Sequence, residues 1–223
     1  MKHILSEYKK TGALKYGLKI ESPFIEDFSS VVEGGGEVVF VGKDTHKTMK
    51  NDLSTHRLIL VTVEEGGTFE YEERATGTVY AKSDLHVFLK GKRARAEIKA
   101  RYEIGADSKL DILHKVYHEA DETISKIETR GVISGEAHVI YRSYINMKEG
   151  LKTLAGNEKA KFLLLSKMAK IDAIPSLDIS SNKVDCSHSL SVSRITDEDL
   201  FYPRLRGYSD EEGKELLLSG FLI

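Results

Sequence analysis

From Ala94 to Tyr102 the chain alternates apolar and polar with strict period two. Ala94, Ala96, Ile98, Ala100 and Tyr102 form one set, and Arg95, Glu97, Lys99 and Arg101 the other. Successive strand side chains point to opposite faces, so this stretch predicts a half-buried β-strand. The branched run Leu58 to Val63 predicts another, closed by Glu64-Glu65-Gly66-Gly67. Phe69 to Glu72 and Leu85 to Leu89 alternate as well. Further strands are expected at Lys109 to Tyr117, Thr123 to Thr129, His138 to Met147, Lys161 to Leu165 and Ser176 to Ile179. Few of the joints carry an Asn-Gly or Asp-Gly hairpin signal, and no helical pattern intervenes. Short strands strung together this way fit a β-solenoid, in which inward small and branched residues form a narrow core and charged residues the outer wall. A β-sandwich is the competing architecture.

The ends differ from this body. Near the N-terminus, Ile4 to Lys10 is expected to form a short helix, Leu14 to Ile20 a strand, Gly34-Gly35-Gly36 a turn and Glu37 to Gly42 a strand. At the other end Thr196 precedes Asp197-Glu198-Asp199, an N-cap followed by acids that suit a helix N-terminus, and Pro203 is expected to end or kink that helix. Ser209 with Glu212 three places on predicts a second helix start. Gly213 inside it costs about 1 kcal/mol against alanine. The division expected is residues 1–55 as a small N-terminal α/β segment, 56–195 as a β-helix core and 196–223 as two C-terminal helices. Those helices either cap the open end of the core or form a docking surface.

Composition narrows the function classes. The chain has 223 residues, 30% charged and 40% hydrophobic, with net charge −2. That balance is ordinary for a globular protein and suggests no nucleic-acid partner. No apolar run approaches the roughly 20 residues that cross a bilayer, so no membrane role is expected. The N-terminus lacks a signal-peptide pattern. One cysteine permits no internal disulfide, and a reducing, cytoplasmic setting is the default. The glycines at 34–36 do not form a phosphate loop, and no nucleotide-binding motif is found.

The reactive chemistry lies in Asp185 to Ile195, DCSHSLSVSRI. Cys186 is the only cysteine, and His188 stands two places on, so both would share one face of a strand. Thiolate and imidazole suit iron or zinc. Buried cysteines often only pack, and a C-x-H pair falls short of a four-ligand zinc pattern. His114 and His118 are read as a packed or solvated pair. Glu64-Glu65 and Glu72-Glu73 point to opposite faces and make no acid/base couple by themselves.

Four stretches carry a family resemblance: RLILVTVEEGGTFEY, ETRGVISGEAHVIYRSYINM, IPSLDISSNKVDCSHSLSVSRI and DLFYPRLRGYSDEEGKELLLSGFL. From Arg57 to Ile223 the chain resembles the core domain of the SufB/SufD proteins of iron–sulfur cluster assembly. Its Cys-x-His resembles SufD, and Ser193-Arg194-Ile195 resembles SufB. The resemblance implies a right-handed parallel β-helix with C-terminal helices that dock the ABC-type ATPase SufC. It also implies that members pair through the β-helix, build a cluster at the paired interface and pass it to recipient apo-proteins. Carried over by position, Cys186 and His188 would serve the cluster. Leu200, Phe201, Tyr202, Arg206, Gly207, Leu217 and Phe221 would serve the ATPase. SufB members carry further cysteines, whereas this chain has Cys186 alone.

Clusters usually take about four protein ligands. A two-fold homodimer would bring together two Cys186 and two His188. The expected function is a scaffold subunit without turnover of its own, holding a transient iron–sulfur cluster shared across a dimer with a second copy or a paralogous subunit. Two alternatives are a SufD-like structural subunit that holds no cluster and a β-helix enzyme acting on polysaccharide.

Overall fold

The structure, a computed structural model, describes residues 14–17, 27–33, 36–43, 55–77 and 80–222. Strands run in sequence as β1 (Leu14–Gly17), β2 (Asp27–Glu33), β3 (Gly36–Lys43), β4 (Thr55–Val63), β5 (Thr68–Gly77), β6 (Tyr80–Leu89) and β7 (Arg95–Ile104). They continue as β8 (Lys109–His118), β9 (Ile124–Ile133), β10 (His138–Met147), β11 (Lys152–Leu164), β12 (Lys170–Ile179) and β13 (Lys183–Arg194). Two helices follow, α1 (Asp197–Leu205) and α2 (Asp210–Leu222).

Pairing decides between solenoid and sandwich. Among β4 to β13 each strand pairs in parallel with the strand two places along, and no two strands consecutive in sequence pair with each other. Even-numbered strands β4, β6, β8, β10 and β12 stack as one sheet, and odd-numbered β5, β7, β9, β11 and β13 as the other. Each consecutive pair is one coil, so the chain winds through five coils of a flattened β-solenoid.

The period-two pattern becomes the core directly. Ala96, Ile98, Ala100, Tyr102 and Ile104 of β7 are buried, and Ser125, Ile127 and Thr129 of β9 stand in register beside the first three. Inward rows of the two sheets meet across the coil, as where Tyr141 of β10 packs its ring 5.3 Å from that of Phe162 of β11. Burying a side chain of this kind stabilises by about 1.5–3 kcal/mol relative to leaving it exposed. On the outer wall Lys99 and Lys126 both reach Glu97. Tight corners join the strands. At one of them a Cβ on Gly91 would lie 1.8 Å from the Glu65 backbone nitrogen, so only glycine fits. His114 and His118 are a packed pair, both buried inside.

The expected N-terminal strands are present in part. β2 pairs antiparallel with β5, and β3 pairs antiparallel with β4, so both sheets extend past the first coil. The helix expected at Ile4 to Lys10 lies outside the described residues.

Several boundaries differ from expectation. β11 begins at Lys152 and β12 at Lys170, well before the runs at Lys161 and Ser176. Pro175 sits within β12, which is an edge strand, where a missing backbone donor is tolerated. α1 runs through Pro203 to Leu205 rather than stopping there. The helices also do not close the open end. α2 lies along the outer wall against β9, where Arg101 donates to the Leu222 carbonyl at 2.9 Å and Arg130 to the Phe221 carbonyl at 2.8 Å. Glu128 bridges the two arginines. Cations there also complement the negative end of the helix dipole.

Candidate functional site

β13 is the last strand of its sheet, and one of its edges has no partner strand among the described residues. Its register with β11 pairs Val184 with Leu154, Cys186 with Gly156, His188 with Glu158, Leu190 with Ala160 and Val192 with Phe162. The β11 members of these pairs are buried in the fourth coil. Their β13 partners face the same way, but no further coil covers them among the described residues, and Leu190 and Val192 are exposed. Cys186 and His188 share this open row, as their spacing predicts.

The two residues sit differently. Cys186 is half-buried and packs against the core. It has room because Gly156 lies opposite: a Cβ there would come within 2.7 Å of Met147 Cε, 3.1 Å of Ile145 Cγ2 and 3.3 Å of Cys186 Sγ. Burial, with the Asp185 carboxylate adding to it, pushes the thiol up from its ordinary value. The thiol is therefore mainly protonated at neutral pH, and this is no activated nucleophile. A bound metal would have to displace the proton. His188 is exposed.

Beneath His188 lies a residue that sequence reasoning missed. Glu158 is 1% exposed, and its Oε1 accepts from the Tyr141 hydroxyl at 3.0 Å. Tyr141 in turn accepts from Thr129 Oγ1 at 3.3 Å. Burial raises the Glu158 carboxyl above the usual range, while Ser143, Tyr141 and the nearby His188 oppose that rise. The same burial, reinforced by Glu158, pushes the Tyr141 phenol upward. The signal was available: Glu158 occupies an inward position in the alternation with Ala160 and Phe162, but only once β11 is known to start early.

Among the described residues, no three His, Cys, Asp or Glu side chains come together as a metal site. A cluster with about four ligands therefore needs more donors than the described residues bring together.

The helices present a second surface. Thr196 and Asp199 form a capping box on α1, and Ser209 with Glu212 make the same reciprocal bonds at α2. Of the positions expected to meet a partner, Phe201 is 62% exposed and Tyr202 60% exposed. Arg206 bonds the Tyr202 hydroxyl at 2.7 Å and lies 5.1 Å from its ring centroid. Gly207, with φ of +88°, turns the chain out of α1. Leu217 and Phe221 are half-buried. Leu200 is buried and joins the two helices, since a Cβ on Gly213 would meet Leu200 Cδ2 at 3.3 Å and Pro203 Cβ at 3.0 Å. Gly213 thus offsets its propensity cost by permitting this approach. Leu205, 68% exposed, belongs to the same apolar surface and was missed. No helix among the described residues is long and apolar enough to cross a membrane.

Comparison with known proteins agrees with the fold. The family model described as "SUF system FeS cluster assembly, SufBD core domain" matches residues 28–221. An iron–sulfur cluster assembly SufBD family protein of Staphylococcus haemolyticus is 27% identical over 203 residues, covering 87% of this chain and 42% of that protein. One from Mycobacterium tuberculosis H37Rv is 26% identical over 159 residues, covering 71% of this chain and 19% of its own. The chain thus spans less than half the length of these curated relatives. With the match running from β2 to the last turn of α2, the chain belongs to the SufBD core-domain family.

Proposed function

We propose that this chain is a scaffold subunit for iron–sulfur cluster assembly and transfer, working with a SufC-type ABC ATPase and without turnover of its own. The observation that carries this reading is the inward row of β13, where Cys186 and His188 stand on an edge that no described strand pairs with, beside exposed Leu190 and Val192. A second copy, or a paralogous subunit, seated on that edge would cover the apolar side chains and double the donor set to two thiolates and two imidazoles. A cluster held by such a mixed set, at an interface, can leave more readily than one in a closed thiolate cage. Recipient apo-proteins would take it from there, in the cytoplasm.

The ATPase surface is assigned to α1, where Phe201, Tyr202 and Leu205 are exposed together. Aromatic anchors of this kind dominate protein–protein interfaces. The grip of Arg101 and Arg130 on α2 would tie that surface to the solenoid wall.

A second reading has its own support. The Cys186 thiol is raised rather than lowered, which suits a SufD-like structural subunit that holds no cluster. Co-purification with the ATPase, followed by iron and sulfide analysis of this chain alone, separates the two. The scaffold reading expects bound iron and sulfide, lost in Cys186→Ala. Full ATPase binding with neither iron nor sulfide would favour the structural subunit.

A further inference from the structure

Inward positions of the solenoid are filled chiefly by apolar or small side chains. A carboxylate at such a position costs stability unless its oxygens are bonded, and an apolar side chain of similar size would pack better. Glu158 is placed there nonetheless, directly beside His188 in the parallel register. The Tyr141 hydroxyl, reaching across from the other sheet, donates to Glu158 Oε1. Thr129 donates to Tyr141, which leaves the phenol proton free to point at Glu158. Tyr141 thus holds Oε1, and a carboxylate with two oxygens has acceptor capacity left for a neighbouring N–H.

A neutral imidazole has one donor and one acceptor nitrogen. A histidine that binds metal through one nitrogen typically gives its other N–H to a carboxylate, which sets the tautomer and the ring direction. We propose that Glu158 is a positioning residue for His188, taking the inward ring N–H and turning the other nitrogen outward to the metal at the subunit edge. This rests on the reading of His188 as a ligand.

Two measurements test it. In the unaltered chain labelled with 15N-histidine, long-range proton–nitrogen correlation reads the His188 tautomer without any metal. One dominant tautomer is expected, and the mixed population of an unconstrained histidine would overturn the inference. This first test needs no variant, so it stands even if a substitution at Glu158 fails to fold. The second uses Co2+ as a probe under anaerobic, reducing conditions. Glu158→Gln should weaken Co2+ binding about 10- to 100-fold while keeping the thiolate-to-cobalt charge-transfer band contributed by Cys186. Unchanged Co2+ affinity in Glu158→Gln would overturn the positioning role and leave the scaffold reading standing. A single tautomer in a chain that binds no Co2+ would instead support the Glu158–His188 contact and count against His188 as a ligand.

Discussion

Lowering the pH from neutrality to about 5 should remove about 2 kcal/mol of folding free energy through His118 alone. The imidazole is fully buried, with Nδ1 2.8 Å from Thr123 Oγ1 and Nε2 2.9 Å from Ser125 Oγ. Thr123 donates its own proton to the Ala120 carbonyl, so it accepts from Nδ1, and Nε2 accepts from Ser125. Burial lowers the ring's pKa from 6.5 to about 4, so it is neutral in the native state at pH 7. On acidification the unfolded chain takes up this proton first. The contribution is fully present above pH 6.5, falls as the pH drops from there to about 4, and changes no further below that. Its full size is about 3.4 kcal/mol, of which about 2 is lost by pH 5. Urea unfolding of the unaltered chain and of His118→Gln, each at neutral pH and near pH 5, isolates the effect from other titrating groups. The two should differ in pH dependence by about 2 kcal/mol. Parallel pH dependences would show that His118 is not the buried neutral ring described. The consequence reaches function, because this ring anchors the corner leading into β9, which supplies Arg130 to the docking helices.

Phe201→Asp with Leu205→Asp should abolish ATPase binding in a pull-down and leave the melting temperature nearly unchanged, since both side chains are exposed. A drop in stability would mean these residues pack against the body. Gly156→Val should destabilise by about 1–3 kcal/mol, because its new side chain meets Met147 and Ile145, and should speed alkylation of a displaced Cys186. Unchanged stability and thiol reactivity would refute the assigned role of Gly156. Arg101→Ala with Arg130→Ala should accelerate hydrogen exchange in the last turns of α2 while the solenoid amides keep their protection. Equal protection of α2 in both proteins would remove the arginine grip from the account.

Strand existence was legible wherever a strand carried its own alternation. Ala94 to Tyr102 showed both faces in nine residues because each inward position is apolar and each outward position charged. β11 and β12 were read too short because Gly156 and Pro175 interrupt the local pattern. In a solenoid the neighbouring coil supplies the ladder, so a strand can form through residues that would not favour one alone. The same non-locality hid half of the candidate site. Cys186 and His188 share a face by spacing, which the sequence displays. Glu158 joins them only through the β11–β13 register, and Tyr141 only by reaching across from the other sheet. The N-cap at Thr196 and the capping box from Ser209 to Glu212 were legible because each lies within four consecutive residues. Where the helices dock was not, since it depends on Arg101 and Arg130, far back along the chain.

Native mass spectrometry of the anaerobically reconstituted chain, beside Cys186→Ala and His188→Ala, tests the shared cluster most directly. The account predicts a species containing two subunits and one iron–sulfur cluster, lost in both variants. A cluster carried by a single subunit, or one retained at full occupancy in either variant, would contradict it.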